Sequence, residues 1–157
     1  MSSVTVILGS ASDKPVFDKC KAIFDEFGIK YHTYIASAHR TPERVDEIVK
    51  NSESDVFIAI AGLSAALPGM IASKTTKPVI GIPVESKLDG LDALLSIVQM
   101  PPGIPVGCVG IDRGENAALL AIEILSLQDD ALKMKLRNYR EKMKESVKKA
   151  DLEAKNW

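Results

Sequence analysis

The sequence predicts an α/β fold in which helices cover both faces of a five-stranded parallel sheet. Short apolar runs alternate with segments of helical periodicity along the whole chain of 157 residues, which is the pattern of repeated strand–helix units. The runs are rich in Val and Ile and carry few polar residues, as expected for strands that are buried on both sides. No linker or low-complexity stretch interrupts them, so we predict one domain over residues 1–157.

The first strand and helix are predicted by apolar spacing and by the residues at their ends. Val4–Leu8 is a β-branched run that stops at a Gly-Ser pair, which is typical of a buried strand. Ser12 or Asp13 is expected to cap the following helix, because short polar side chains accept hydrogen bonds from its first free N–H groups. Pro15 suits the first turn of that helix, and Gly28 is expected to end it.

The remaining elements follow from the same criteria. A second strand is predicted near Ile29–Ile35, and the pair Thr41-Pro42 is expected to start the second helix. A small-residue loop, Gly62–Gly69, follows the third strand. The other predicted strands are Val56–Ala61, Val79–Pro83 and Val106–Gly110, and the later helices are Leu91–Val98, Asn116–Leu127 and a long final helix over about residues 130–150.

Composition argues against several classes of function. The chain carries 20 Lys and Arg against 21 Asp and Glu, a net charge of −1, so we predict no nucleic-acid partner, which would require a basic surface. No apolar stretch approaches the roughly 18 residues of a membrane span, and no signal peptide is recognised. We therefore expect no membrane association and a cytoplasmic location. Two Cys and two His without ligand spacing predict neither a metal site nor a disulfide.

The loops after the first three strands are the candidate sites, because ligands of open parallel sheets bind beyond the carboxyl ends of the strands. Gly9–Asp13 lacks the Walker and dinucleotide-binding patterns, but its hydroxyls and the helix N-terminus offer a seat for a phosphate. A plain helix cap is the alternative. In the second loop His39 and Arg40 pair a proton carrier with an anion clamp, and the alternative is a surface His without a role. His32, within the predicted second strand, is interpreted as structural.

The third loop and the Pro-rich segment before the last strand are less specific. Small residues in Gly62–Gly69 let the backbone approach a ligand closely, or let a helix pack tightly on the sheet. Gln99–Val106 is interpreted as a rigid turn. Two other α/β classes are disfavoured: an FMN electron carrier would place aromatic residues in the third loop, and a signalling receiver domain would place acidic residues where Gly9-Ser10 stands.

Four segments together resemble one family. They read G-S-x-S-D at Gly9–Asp13, S-A-H-R-T-P at Ser37–Pro42, L-P-G-M at Leu67–Met70 and Q-M-P-x-G-x-P-V at Gln99–Val106. In this order and spacing they are similar to the phosphoribosylaminoimidazole carboxylase family, known as PurE, which includes the bacterial N5-carboxyaminoimidazole ribonucleotide mutases. The resemblance covers about residues 4–127, the expected core of the domain, and leaves the final helix outside it.

The resemblance implies a flavodoxin-like three-layer sandwich and a homo-octamer with active sites between subunits. It implies an enzyme that makes 4-carboxy-5-aminoimidazole ribonucleotide in purine biosynthesis without a cofactor. The partners would be a small-molecule ribonucleotide and carbon dioxide or bicarbonate.

The resemblance also implies roles for individual residues. His39 would be the catalytic residue that transfers the proton. The residues that would contact the substrate are Ser10, Ser12, Asp13, Ser37 and Arg40 around the ribose phosphate, and Gly62, Ser64, Ala66, Leu67 and Gly69 around the carbon dioxide.

Ala66 departs from the mutase pattern. Bacterial mutases resemble G-G-A-A-H-L-P-G in the third loop, with His where this chain has Ala66, and the carboxylases that use carbon dioxide resemble A-G-R-S-N-A-L-S-G. This chain reads A-G-L-S-A-A-L-P-G, a hybrid of the two. Because Ala66 leaves an apolar wall suited to carbon dioxide, we predict direct carboxylation of 5-aminoimidazole ribonucleotide. Movement of the carboxylate from N5 to C4 by a mutase is the alternative, and a non-catalytic nucleotide-binding relative is the second alternative.

Overall fold

The computed structural model describes residues 2–155 and has the predicted alternation of strands and helices. Two short 3-10 helices, Ala11–Asp13 and Leu88–Gly90, precede the first and fourth α-helices. The strands are β1 (Ser3–Leu8), β2 (Lys30–Ile35), β3 (Val56–Ala61), β4 (Val79–Pro83) and β5 (Gly107–Cys108). The helices are α1 (Lys14–Phe27), α2 (Pro42–Asn51), α3 (Ala66–Ala72), α4 (Leu91–Val98), α5 (Gly114–Ser126) and α6 (Asp130–Ala154).

The five strands form one sheet in the order β2-β1-β3-β4-β5, and every pair is parallel. β1 lies between β2 and β3, so the connection after β1 runs to one side and the connection after β2 returns to the other. The switch point of the sheet therefore lies at the carboxyl end of β1, between the loops that follow β1 and β3. The predicted α/β class with a five-stranded parallel sheet is confirmed.

One face of the sheet is covered by α2, α3 and α4. Ile7 of β1 lies opposite Tyr34 of β2 and Ala59 of β3, so these side chains point to the same face. The same apolar cluster includes Val45, Ile48 and Val49 of α2, Ile71 and Ala72 of α3, and Ala93 and Ile97 of α4.

The other face is covered by α1 and the beginning of α5. Phe24 of α1 is fully buried and stacks on Tyr31 of β2, with ring centroids 5.4 Å apart. The Cys20 thiol of α1 donates to the carbonyl oxygen of Gly114, 3.1 Å away, which brings the first residue of α5 against α1. Gly28 ends α1 in the left-handed conformation, φ 71°, as predicted. These layers confirm the three-layer, flavodoxin-like arrangement.

Three local predictions are corrected. β5 is Gly107–Cys108, shorter than the predicted Val106–Gly110, because within residues 2–155 its pairing with β4 is confined to these two residues, opposite Ile80 and Gly81. The predicted loop Gly62–Gly69 is helical from Ala66 onward; Pro68 is tolerated there because the first N–H groups of a helix have no intrahelical partner. The side chain that caps the first helical turn is that of Ser10, and Asp13 makes no cap bond to α1.

The chain divides into two compact units, Met1–Ala121 and Ile122–Trp157. The first contains the sheet, and the second consists of the end of α5 and α6. Within the second unit, Asp129 caps α6 by accepting from the Leu132 N–H at 3.0 Å, and Arg140 pairs with Glu123 at 2.5 Å. The long final helix is confirmed, and it ends at Ala154. We retain the single domain over residues 1–157 as a proposal, because α5 runs through the boundary as one helix.

Within residues 2–155, no helix combines the length and apolar character needed to cross a membrane.

Candidate active site

A pocket of about 630 Å³ lies at the carboxyl ends of the strands, at the switch point. It is formed by the segments that follow β1, β2, β3 and β4. Three of these four segments are the loops predicted from sequence. The lining residues are Gly9, Ser10, Ser12, Asp13, Ser37, Ala38, His39, Arg40, Ala61, Gly62, Leu63, Ala65, Ala66, Leu67, Val84, Glu85 and Ser86.

The loop after β1 is held by a reciprocal capping box. The Ser10 side chain accepts from the Ser12 N–H at 3.3 Å, and the Asp13 carboxylate accepts from the Ser10 N–H at 2.9 Å. The Ser12 hydroxyl also donates to Ser10 Oγ at 2.9 Å. Since two side chains and two N–H groups fix one another, the hydroxyls are presented to the pocket in a set geometry.

Asp13 is a buried carboxyl, 6% exposed, at the edge of the pocket. Its burial raises the pKa of Asp13 above the usual carboxyl range, since desolvation disfavours the charged form. Asp112 adds to this rise in pKa, whereas the Ser10 N–H and the Arg40 guanidinium oppose it.

We predict that Asp13→Asn becomes more stable relative to the wild-type protein as pH rises. A pKa raised by folding means that the native state binds the Asp13 proton more tightly than the unfolded state does, so stability is present at low pH and lost as pH rises through the folded pKa. Asn keeps an oxygen acceptor for the Ser10 N–H. Urea unfolding from pH 3 to pH 7 measures the difference, with Asp89→Asn as an exposed control. Parallel stability curves for wild type and Asp13→Asn would contradict the expectation.

The loop after β2 is braced around Ser37. The Ser37 N–H donates to Thr41 Oγ1 at 2.9 Å, and the Thr41 N–H donates to the Ser37 carbonyl oxygen at 2.9 Å. The Arg40 backbone N–H and Nε donate to Ser37 Oγ at 3.2 and 3.3 Å. Arg40 Nη2 reaches the carbonyl oxygen of Gly9 at 3.1 Å. The guanidinium therefore spans the loops after β1 and β2 at the mouth of the pocket.

His39 lines the pocket beside Arg40, and its imidazole is exposed. Within residues 2–155 the imidazole makes no hydrogen bond, so both ring nitrogens are available to a ligand. His32 lies on β2, at the edge of the sheet, and is not among the pocket residues.

The third wall of the pocket is the turn between β3 and α3. Gly62, Ala65 and Ala66 line it, and the Ala65 N–H donates to the Gly62 carbonyl oxygen at 3.0 Å. The position of α3 depends on Gly81 of β4. A Cβ at Gly81 would lie 2.6 Å from Ile97 and 3.1 Å from Pro68, closer than van der Waals contact allows.

The structure brings nine of the eleven predicted site residues to the pocket: Ser10, Ser12, Asp13, Ser37, His39, Arg40, Gly62, Ala66 and Leu67. Ser64 and Gly69 are not among the lining residues. Gly69 faces the Met100 thioether, where an added Cβ would lie 3.2 Å from the sulfur. The L-P-G-M and Q-M-P segments therefore pack against each other, which accounts for them structurally.

Three lining residues, Val84, Glu85 and Ser86, were not predicted from the sequence. They follow β4, the neighbour of β3 in the sheet, so their place at the carboxyl edge was available from the strand order. The chain carries no motif there. The Glu85 N–H donates to Asp112 Oδ1 at 3.0 Å, which ties this segment to the turn after β5.

The side chains restrict the chemistry that the pocket supports. Within residues 2–155, no group of three or more His, Cys, Asp and Glu side chains is placed to hold a metal ion. Cys20 does not line the pocket, and burial raises the pKa of its thiol to about 12, which disfavours the nucleophilic thiolate. The pocket has hydroxyl groups and a guanidinium at one end, an exposed imidazole, and a wall of small apolar residues. This combination suits anion binding and proton transfer.

The fold and pocket define a flavodoxin-like α/β protein with a polar site at the switch point of its sheet. Comparison with known proteins agrees with this class. The model of the AIR carboxylase family matches residues 3–146. The N5-carboxyaminoimidazole ribonucleotide mutase of Methanocaldococcus jannaschii is 64% identical over 148 residues, with 94% of each chain covered. The mutase of Pyrococcus abyssi is 53% identical over 148 residues, which cover 92% of this chain and 85% of that protein.

The crystal structure of Treponema denticola PurE superposes with a TM-score of 0.90 at 32% identity, over 98% of both chains. The chain belongs to the AIR carboxylase family. It is thus an enzyme, and the two types predicted for it from sequence were the carboxylase and the mutase.

Proposed function

We propose that this protein is an N5-carboxyaminoimidazole ribonucleotide mutase of purine biosynthesis, which moves a carboxylate from N5 to C4 of the aminoimidazole. The observation that carries the proposal is the 64% identity over 94% of the chain to a protein of that name. A second relative of the same name is 53% identical. The preference for direct carboxylation, based on Ala66 alone, is not confirmed, and we place it second.

The loops after β1 and β2 would hold the phosphate of the ribonucleotide. The Ser10 and Ser12 hydroxyls and the Arg40 guanidinium lie on this side of the pocket, and a guanidinium binds phosphate through charge-assisted hydrogen bonds. Burial raises the pKa of the Asp13 carboxyl, which lies at the edge of the same end of the pocket.

The chemistry requires one proton to move between two atoms of the substrate. As the bond from N5 to the carboxylate carbon breaks, carbon dioxide is released into the pocket and N5 takes up a proton. C4 then attacks the carbon dioxide, the new C–C bond forms, and the C4 proton leaves. His39 would donate the first proton and accept the second, so that the enzyme ends unchanged. The wall formed by Gly62, Ala65, Ala66 and Leu67 would hold the carbon dioxide beside C4 between the two steps.

Ala66 is the specific observation that favours the carboxylase as a second candidate. It is exposed in the pocket wall, at the position where the sequence pattern of the bacterial mutases has a His. An Ala methyl cannot donate a hydrogen bond to the carbamate oxygens of the N5-carboxylated substrate. It offers neutral carbon dioxide an apolar contact.

Turnover of the two substrates distinguishes these candidates. The purified protein is assayed with N5-carboxyaminoimidazole ribonucleotide, and separately with 5-aminoimidazole ribonucleotide over a range of bicarbonate, while the 4-carboxy product is followed. We expect efficient conversion of the first compound and little of the second. The reverse result would establish the carboxylase. Inactivity with both, together with activity restored by Ala66→His, would identify a nucleotide-binding relative that has lost catalysis.

We also propose a homo-oligomer, with an octamer as the expected form. Support comes from a stripe of exposed apolar side chains that recurs at helical spacing on the second 3-10 helix and α4. Leu88 is 72% exposed and Leu95 is 54% exposed, and Leu91 and Val98 belong to the same stripe. Apolar stripes of this kind mark association surfaces. Exposed Met143 and Val147 of α6 suit the further expectation that the final helix contributes to subunit contacts.

We predict that light scattering at micromolar concentration gives a multiple of the 17.0 kDa chain mass, near eight chains. The double variant Leu91→Glu, Leu95→Glu is expected to lower that mass, because burying a carboxylate against another subunit is strongly unfavourable. Ser96→Glu adds a charge on the same helix outside the apolar stripe and serves as the control. A wild-type mass near that of one chain would end the proposal.

A further inference from the structure

Asp92, in the first turn of α4, bonds the backbone of the turn between β3 and α3. Its Oδ2 accepts from the Ser64 N–H at 3.2 Å, although 28 residues separate the two in sequence. Its other oxygen, Oδ1, is buried and has no hydrogen-bond partner within residues 2–155. A buried carboxylate oxygen without a donor is unfavourable, so the bond from the Ser64 N–H to Oδ2 is an interaction that favours an acceptor at this position.

Ser64 is the point at which this turn departs from ordinary backbone geometry. It is a non-glycine residue with φ 50°, in the left-handed region. Residues other than Gly, Asn and Asp are disfavoured in such conformations unless surrounding groups hold them there. The bond to Asp92 is the contact that holds Ser64 from a different element of the fold.

Ser64 does not line the pocket, but the residues on both sides of it do. Gly62, Leu63, Ala65 and Ala66 form the pocket wall. The turn therefore presents its neighbours to the pocket while its own N–H is bonded to α4.

The start of α4 is itself firmly placed, so it provides a rigid support for Asp92. Gly90 packs so closely that an added Cβ would lie 2.9 Å from Ile111 and 3.3 Å from the Cα of Glu85. Glu85 in turn is bonded through its N–H to Asp112. A support that connects a turn to such elements sets the position of that turn.

We propose that Asp92 is a positioning residue for the reaction, which fixes the Gly62–Ala66 wall against the reacting carbon through its bond to the Ser64 N–H. This inference rests on the proposed function, in which that wall would hold carbon dioxide during the transfer. Displacement of reacting groups by about 1 Å lowers the rate of a positioned reaction by up to about 10². The phosphate loops after β1 and β2 are independent of this bond, so nucleotide affinity should not depend on it.

Kinetics of three variants test the inference. Asp92→Ala removes the acceptor, and Asp92→Ser retains a polar residue in the first turn of α4 but is too short to reach Ser64. Both are expected to lower kcat about 10- to 100-fold, with KM changed by less than about threefold. Asp92→Asn retains an acceptor oxygen and is expected to keep kcat within about threefold of wild type. Asp130→Ala removes an acidic residue from the first turn of another helix, α6, and serves as the control for helix stabilisation.

Hydrogen exchange of the Ser64 amide supplies a readout that needs no turnover. It is expected to be at least about tenfold faster in Asp92→Ser than in wild type and unchanged in Asp92→Asn, because exchange reports the opening of the hydrogen bond. A wild-type kcat in Asp92→Ser, or a kcat in Asp92→Asn as low as in Asp92→Ser, would overturn the inference. If the wild-type protein converts neither substrate, the proposed function fails. In that case the exchange measurement still tests the hydrogen bond, because it does not depend on turnover. An exchange rate of the Ser64 amide that is unchanged in Asp92→Ser would reject the bond between Asp92 and Ser64.

Discussion

Replacement of His39 by Asn is expected to lower kcat by about 10²–10⁴-fold, the usual contribution of general acid–base catalysis. His39 is exposed in the pocket and free of hydrogen bonds within residues 2–155, so its imidazole can take and return a proton without breaking an existing bond. Asn is similar in size and can still form hydrogen bonds, but it cannot carry a proton. Nucleotide affinity should stay within about threefold, because the phosphate contacts belong to other side chains.

His32→Asn is the matched control for this experiment. It changes the other His of the chain, which lies on β2 outside the pocket, and it should leave kcat unaffected. Product formation is measured in steady state, and affinity is measured by calorimetric titration with 5-aminoimidazole ribonucleotide. A His39→Asn enzyme that retains more than about a tenth of the wild-type kcat would show that His39 is not the proton carrier.

Replacement of Arg40 by Ala is expected to weaken binding of the same nucleotide by about ten- to hundredfold. Hydrogen bonds to charged groups contribute about 1.5–3 kcal/mol, and about 1.4 kcal/mol corresponds to a factor of ten in Kd. The guanidinium already reaches from Ser37 to Gly9 across the pocket mouth, so it needs little rearrangement to contact a phosphate there. Arg40→Lys keeps the charge without the planar donor pair and should recover part of the affinity.

The matched control for Arg40 is Arg44→Ala. Arg44 pairs with Glu47 at 2.6 Å and lies over the Tyr34 ring, and it is not among the pocket residues. Calorimetric titration of both variants with the nucleotide separates the local contact from a general loss of positive charge. Equal affinity in Arg40→Ala and the wild-type protein would remove Arg40 from the phosphate site.

Much of the fold follows from local signals in the sequence. The runs Val56–Ala61 and Val79–Pro83 are observed as β3 and β4 with the predicted bounds, because short apolar runs rich in Val and Ile pack well as strands that are buried on both faces. Gly28 ends α1 for an equally local reason, the low cost of a left-handed residue without Cβ. The short β5 is different: its length depends on hydrogen bonds that only the assembled sheet provides.

Site residues could be predicted from the sequence where a loop contains side chains suited to anion binding or proton transfer. Ser10, His39 and Arg40 stand in loops that follow strands at the switch point, and all three line the pocket. Glu85 has no such signal, since its place depends on β4 lying beside β3. The hydrogen bond from the Ser64 N–H to Asp92 could not be predicted either. A sequence pattern describes side chains, and it does not indicate where backbone N–H groups are bonded.

The hydrogen-bonded loop after β1 has a consequence for the kind of ligand that can occupy it. The N–H groups of Ser10 and Ser12 and the Ser12 hydroxyl already donate to acceptors inside the loop. A ligand that accepts from these donors therefore replaces existing hydrogen bonds and adds few new ones. Such an exchange is close to neutral in free energy for an uncharged group. Selectivity at this end of the pocket therefore depends on charge, and an inhibitor that mimics the shape of the phosphate with a neutral group would gain little from the loop.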